Sequence, residues 1–147
     1  MVASLLRIKS DHLEHILDLM TIPDEVEEDL YVDVDWEAIM YVFGNGFVGA
    51  PITGEIFMPQ EAVGDEEEIK YGGGIRYHTP EVIQKINKMI GDLTKEDLRK
   101  LIVPEKMTQV YRFHPDYAES LVERCMQVIA LFKRAEQSGD IVVAEIS

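Results

Sequence analysis

Residues 114–146 read HPDYAESLVERCMQVIALFKRAEQSGDIVVAEI, and this stretch decides the fold class. His114, Pro115 and Asp116 open it, with a proline suited to a first helical turn and an acid beside the helix dipole. Ala118, Leu121, Val122, Cys125, Val128, Ile129, Phe132 and Ala135 then recur at helical spacing. That pattern predicts the longest helix of the chain, running to about Gln137 with one buried face. Gly139 supplies a stop, and Ile141 to Ile146 is an apolar run of strand length. Both element types therefore belong to one packed unit.

The same reading extends towards the N-terminus. Thr79-Pro80-Glu81 joins a cap, a proline at the first helical position and an acid, and starts a helix with a stripe of Val82, Ile83, Ile86, Met89 and Ile90. Thr94 with Asp97 resembles a capping box for a helix ending near Ile102. Ile75-Arg76-Tyr77 reads as a short strand, and Val2 to Ile8 as a first strand. Ser10 is placed as the cap of a helix whose face is Leu13, Ile16, Leu17 and Met20. Asp24 to Asp29 reads as a short helix or a loop. Trp36 to Phe43 is open to helix or buried strand, with the acidic start and Gly44 favouring helix. The expectation is a single α+β domain over residues 1–147, with a small mixed sheet packed against several helices, including a long C-terminal one.

Composition bounds the function. The chain has 147 residues, 46% of them hydrophobic, with a net charge of −14. Folding at this size removes roughly two thirds of the unfolded chain's surface from water, so a core needs no staples. Met1 to Ile69 holds seventeen acidic and two basic residues, whereas Lys70 to Ser147 holds eleven and twelve. The first half thus carries −15 and the second +1. A polyanionic duplex or an anionic membrane surface is repelled by such a chain, so neither nucleic acid nor membrane is expected as a partner. The single cysteine, Cys125, makes no internal disulfide and fits a cytoplasmic setting. Ala38 to Gly54 is uncharged but short and broken by glycines and Pro51, which disfavours a membrane span.

Few constellations carry chemistry. Gly44, Gly46 and Gly49 match the letters of a dinucleotide fingerprint, but Pro51 and Gly54 prevent the helix that a pyrophosphate requires. His12 and His15 share a helix turn without a third ligand, so no metal site is assigned. His78 and His114 lie at element boundaries with no serine or cysteine arranged about them, so no catalytic residue is assigned either. No cofactor is implied. Gly72, Gly73 and Gly74 precede Arg76, whose forked guanidinium suits a carboxylate or phosphate, with Tyr71 and Tyr77 as candidate walls. Asp65, Glu66, Glu67 and Glu68 form an acidic run that reads as a solvated loop or as a surface for a basic partner.

Trp36-Glu-Ala-Ile-Met-Tyr-Val-Phe-Gly44, and Lys70-Tyr-Gly-Gly-Gly-Ile-Arg-Tyr77 running into Thr79-Pro-Glu-Val82, resemble the YfbM-like family of bacterial proteins. Asp33 three residues before Trp36, Leu93-Thr94 with Leu98, the Tyr111 to Tyr117 segment and the strand after Gly139 extend the likeness over nearly the whole chain. The family more often has proline and a small residue where Gly73 and Gly74 stand, and histidines where this chain has Glu37 and Met40. The resemblance implies an α+β fold in a bacterial cytoplasm and no established activity.

Two functional expectations follow. One is a non-enzymatic, immunity-like binding module whose acidic half, centred on Asp65 to Glu68, meets a basic protein. The other is a small anionic-ligand protein or enzyme with a pocket around Tyr71, Gly73, Arg76 and Tyr77.

Overall fold

The computed structural model describes residues 1–44 and 55–147. Gly46 and Gly49 of the glycine motif, and the end of the uncharged stretch from residue 45, lie outside the described residues.

Among the described residues the sheet has five strands: β1 (Ala3–Ile8), β2 (Glu28–Asp33), β3 (Glu61–Val63), β4 (Ile75–His78) and β5 (Ile141–Ile146). Their order is β2-β1-β5-β4-β3. Among the described residues six α-helices accompany it: α1 (Leu13–Leu19), α2 (Trp36–Phe43), α3 (Glu66–Lys70), α4 (Pro80–Ile90), α5 (Lys95–Leu101) and α6 (Ala118–Ser138). The α+β class stands, but the sheet is not mixed, because every pairing is antiparallel. The connections from β1 to β2 and from β3 to β4 each contain one short helix, α1 or α3, yet they reverse the chain without carrying it back along the sheet. Between β4 and β5 the chain passes through α4, α5 and α6, of which α4 and α6 pack on each other, and it enters β5 at the end where β4 finishes, so this pair is antiparallel too.

Strand β5 is central and covered on both faces, which is why Ile141-Val-Val-Ala144 is buried without alternation. Leu5, Val32, Val142 and Ala144 face the main core against α2, α4, α5 and α6. Leu6, Ile8, Val63, Tyr77, Ile141 and Val143 face a smaller cluster that includes Ile16 of α1. The expected face of α6 is buried at Leu121, Val122, Cys125, Val128, Ile129, Phe132 and Ala135, and Gly139 ends the helix at φ 69°. Burial holds the Cys125 thiol well above its ordinary pKa, and the nearby Asp35 carboxylate adds to that shift, which makes Cys125 an inert core residue. Thr79 accepts the amide of Val82, and Thr94 and Asp97 form a reciprocal capping box. Trp36–Phe43 is helical.

Three local expectations change. Of helix and loop, the loop holds for residues 24–27, and Glu28 and Asp29 already belong to the edge strand β2, where Val32 is buried, Leu30 half-buried and Tyr31 and Asp29 exposed. Period-two burial wins there because β1 offers it hydrogen-bonding partners, and acidic residues suit an edge. On α1 only Ile16 is fully buried, while Leu17 and Met20 are exposed, because a seven-residue helix covers just the small second cluster. Its start is a 3₁₀ turn at Ser10–His12 with no side-chain cap. Asp65 to Glu68 is not a loop: Asp65 caps α3, accepting the Glu68 amide at 2.7 Å while the Glu68 carboxylate accepts the Asp65 amide. Among the described residues, no helix is long and apolar enough to cross a membrane.

Candidate functional site

The capping box of α3 starts the segment that builds the site. Helix α3 ends at Tyr71, and the Gly73 amide then donates to the Glu68 carbonyl at 2.8 Å, which folds the chain back towards β4. Gly72 and Gly74 adopt φ of 83° and 81°. A Cβ on Gly74 would stand 2.7 Å from the Val63 carbonyl, whereas one on Gly72 meets nothing within 4 Å. Alanine at Gly74 is therefore expected to cost about 1–3 kcal/mol, more than alanine at Gly72, where only the left-handed backbone is strained. Urea denaturation of the two variants checks this; equal losses would show that the close approach to Val63 is unimportant.

Strand β4 then presents alternate residues to opposite sides. Ile75 and Tyr77 join the smaller cluster, while Arg76 and His78 point towards the main core. Arg76 and His78 both hold the segment before β3. The Arg76 guanidinium donates to the Pro59 carbonyl at 3.2 Å and to the Ile69 carbonyl at 3.4 Å. The His78 Nε2 donates to the Ile56 carbonyl at 2.8 Å, and its ring meets Phe132 edge-on. Burial pushes the His78 pKa down to about 4, so the imidazole is neutral, and with a carbonyl as partner its proton sits on Nε2. Among the described residues Arg76 has no carboxylate partner, despite the chain's acidity.

Between Gly72–Arg76 and the end of β5 lies a cavity of about 580 Å³. The two strands pair as far as Arg76 and Ala144, while β5 continues to Ile146. Phe57, Met58 and Arg76 wall the cavity on the main-core side, and Ile22 and Val143 wall it on the other. Gly73 and Arg76 thus meet at one cavity. Tyr71 does not line it; the residue is 77% exposed, with the Lys70 ammonium 5.8 Å from the ring. Tyr77 is turned away by the strand's alternation and lines a separate cavity of about 80 Å³ with His78 and Glu61. Burial raises its phenol pKa, and the Glu61 carboxylate adds to this. The aromatic walls expected from Tyr71 and Tyr77 are instead supplied by Phe57 and its neighbour Met58. Nothing in the irregular segment around Glu55–Met58 signalled that role, and the contribution of β5 depends on strand pairing.

The acidic runs are far apart. Asp65 to Glu68 follow β3 at one edge of the sheet, and Asp24 to Asp29 lead into β2 at the other. Four interstrand spacings separate those edges, roughly 19 Å. Glu28 is also spent internally: Arg7 donates to it at 3.1 Å, and Arg134 binds both its oxygens. The Arg134 hydrogen bonds, with those of Arg7, hold its carboxyl below the usual range. Asp65 to Glu68 remain exposed on α3. Among the described residues, no group of three or more histidine, cysteine or carboxylate side chains is placed to hold a metal ion.

Comparisons with known proteins agree with this architecture. The family model described as a domain of unknown function, DUF1877, matches residues 1–144. The crystal structure of a protein of unknown function, YfbM from Escherichia coli, is similar with a TM-score of 0.67, 14% identity and 98% of each chain covered. At that identity the likeness concerns the fold. No curated protein matches the chain.

Proposed function

The chain belongs to the DUF1877 family, a domain of unknown function, and we propose that it acts as a binding protein for a small anionic ligand held at Arg76. The observation that carries this reading is Arg76 on the wall of a cavity of about 580 Å³, with a guanidinium whose only described partners are two main-chain carbonyls. Carbonyl bonds orient the guanidinium without neutralising it, and they leave donors of its fork for a further acceptor. Largely apolar walls with Arg76 as the single lining cation, beside the Glu145 carboxylate, suit a carboxylate-bearing molecule in a partly dry site.

The reading of a basic protein partner is motivated by the −15 half and by the exposed carboxylates of α3. It draws less support from geometry, because the two acidic runs occupy opposite sheet edges and cannot form one compact patch.

A thermal-shift series with acetate, propionate, benzoate and inorganic phosphate, against chloride at matched ionic strength, tests the proposal. A carboxylate at about 100 times its Kd should stabilise the folded chain by about 2.7 kcal/mol. Arg76→Gln should remove that stabilisation while the variant remains folded. Stabilisation equal to chloride for every probe, or unchanged in Arg76→Gln, would contradict the reading.

A further inference from the structure

The ladder between β1 and β5 fixes which main-chain groups face the cavity. Val2 and Ser147 exchange both of their hydrogen bonds, at 2.8 and 2.9 Å. In an antiparallel pair such residues alternate with ones whose N–H and C=O point away from the partner strand. Ala3 and Ile146 are the next pair, so the N–H and C=O of Ile146 point away from β1, to the side where β4 lies. Two residues earlier, Ala144 meets Arg76 across that gap. Among the described residues no strand lies opposite Ile146, because the chain at Gly74 is turned by its left-handed backbone and pairing begins only at Arg76. Neither main-chain group of Ile146 has a partner among the described residues. A strand donor and acceptor therefore face a cavity, and Arg76, with no carboxylate partner among the described residues, lies opposite Ala144, roughly 7 Å along the strand from Ile146.

We infer that the occupant of this cavity is the carboxyl-terminal end of an extended peptide, paired through its main chain to Ile146 and held at its terminal carboxylate by Arg76. The inference rests on the anionic-ligand reading above and names its ligand class. A peptide running antiparallel to β5 continues the line of β4 backwards past Gly74. With one residue opposite Ile146, its carboxyl end arrives at the start of β4, beside Ile75 and one position short of Arg76. Main-chain pairing supplies affinity, and the walls of Ile22, Phe57, Met58 and Val143 favour small apolar side chains on alternate positions. Glu145 on the cavity rim disfavours a second negative charge, which selects a singly charged end over phosphate or a dicarboxylate.

Calorimetry on the full chain tests this with three probes: acetate, an N-acetylated Val-Ala-Val tripeptide as free acid, and the same peptide as carboxamide. The free acid should bind at least tenfold more tightly than acetate, since it adds a donor and an acceptor for Ile146. The carboxamide should lose at least tenfold, and both Arg76→Gln and Arg76→Lys should abolish the preference for the acid. Methylating the peptide nitrogen opposite Ile146 should return the affinity to that of acetate. Arg76-dependent binding of acetate with no gain from the peptide would overturn the peptide assignment and leave the anionic site standing. Equal binding of acid and carboxamide would overturn carboxylate capture, and no binding of any carboxylate would overturn both readings.

Discussion

Arg7→Met is expected to lower the unfolding free energy by about 3–5 kcal/mol. Arg7 leaves β1 with a side chain only 15% exposed and donates from Nη1 to Asp140 at 2.7 Å and from Nε to Glu28 at 3.1 Å. Asp140, in the turn between α6 and β5, is 4% exposed. Methionine keeps the aliphatic stem but removes the cation, so a buried carboxylate loses its counter-ion. Glu28 keeps Arg134, which confines most of the damage to Asp140. Urea denaturation at neutral pH measures the loss, and adding Asp140→Asn should recover part of it through the coupling of the pair. A loss below about 1 kcal/mol would place this cluster with ordinary surface ion pairs.

The second large effect concerns acid. Between pH 7 and pH 4 the native protein should lose about 3 kcal/mol more stability than His78→Gln. The folded imidazole has a pKa of about 4 against an ordinary 6.5, so the unfolded chain takes up its proton first as pH falls. The stabilisation is intact above pH 6.5, drains away between 6.5 and 4, and levels off below. Glu28 acts in a lower window, because its carboxyl is held below 4.5 and its contribution is lost only as pH falls through that depressed value. Glutamine retains an N–H donor for the Ile56 carbonyl without the titration. Parallel pH profiles for the two proteins would show that His78 is not the acid-sensitive group. Since His78 and Arg76 grip the same Ile56–Pro59 segment, acid should also loosen the cavity wall formed by Phe57 and Met58.

Elements set by local chemistry were readable along the chain. The stripe of α6 with Gly139, the Thr79-Pro80 start of α4 and the Thr94–Asp97 box each depend on residues within a few positions of one another. Strand β2 was not readable as such, because its acidic start resembles a helix N-terminus and its pairing with β1 is a tertiary event. Strand direction was equally hidden, since the one-helix connections through α1 and α3 and the three-helix connection before β5 alike join antiparallel neighbours. The Asp65-x-x-Glu68 spacing is itself a capping signature, yet the charges around it read as solvation.

At the site, Arg76 and its glycines were visible because an arginine beside a glycine run is unusual in so acidic a sequence. Tyr77 could have been set apart from Arg76 by the alternation of the short strand that contains both. The remaining walls come from residues distant in sequence, Phe57 and Met58 on one side and the end of β5 on the other. Their approach follows from the divergence of β4 and β5 beyond Arg76 and Ala144, which no local pattern encodes.

The measurement closest to the central claim is a nuclear magnetic resonance titration of the native chain with propionate, following the Arg76 Nε–H and the amides of Gly72, Gly73, Gly74 and Ile146. A carboxylate seated at Arg76 should shift the Nε–H resonance strongly downfield and saturably, with smaller shifts at the glycine amides and little change at Tyr71 or on α3. An Arg76 resonance that does not move while other resonances saturate, or shifts spread evenly over the exposed cations of α4 and α5, would contradict the assignment of this cavity as an anion site.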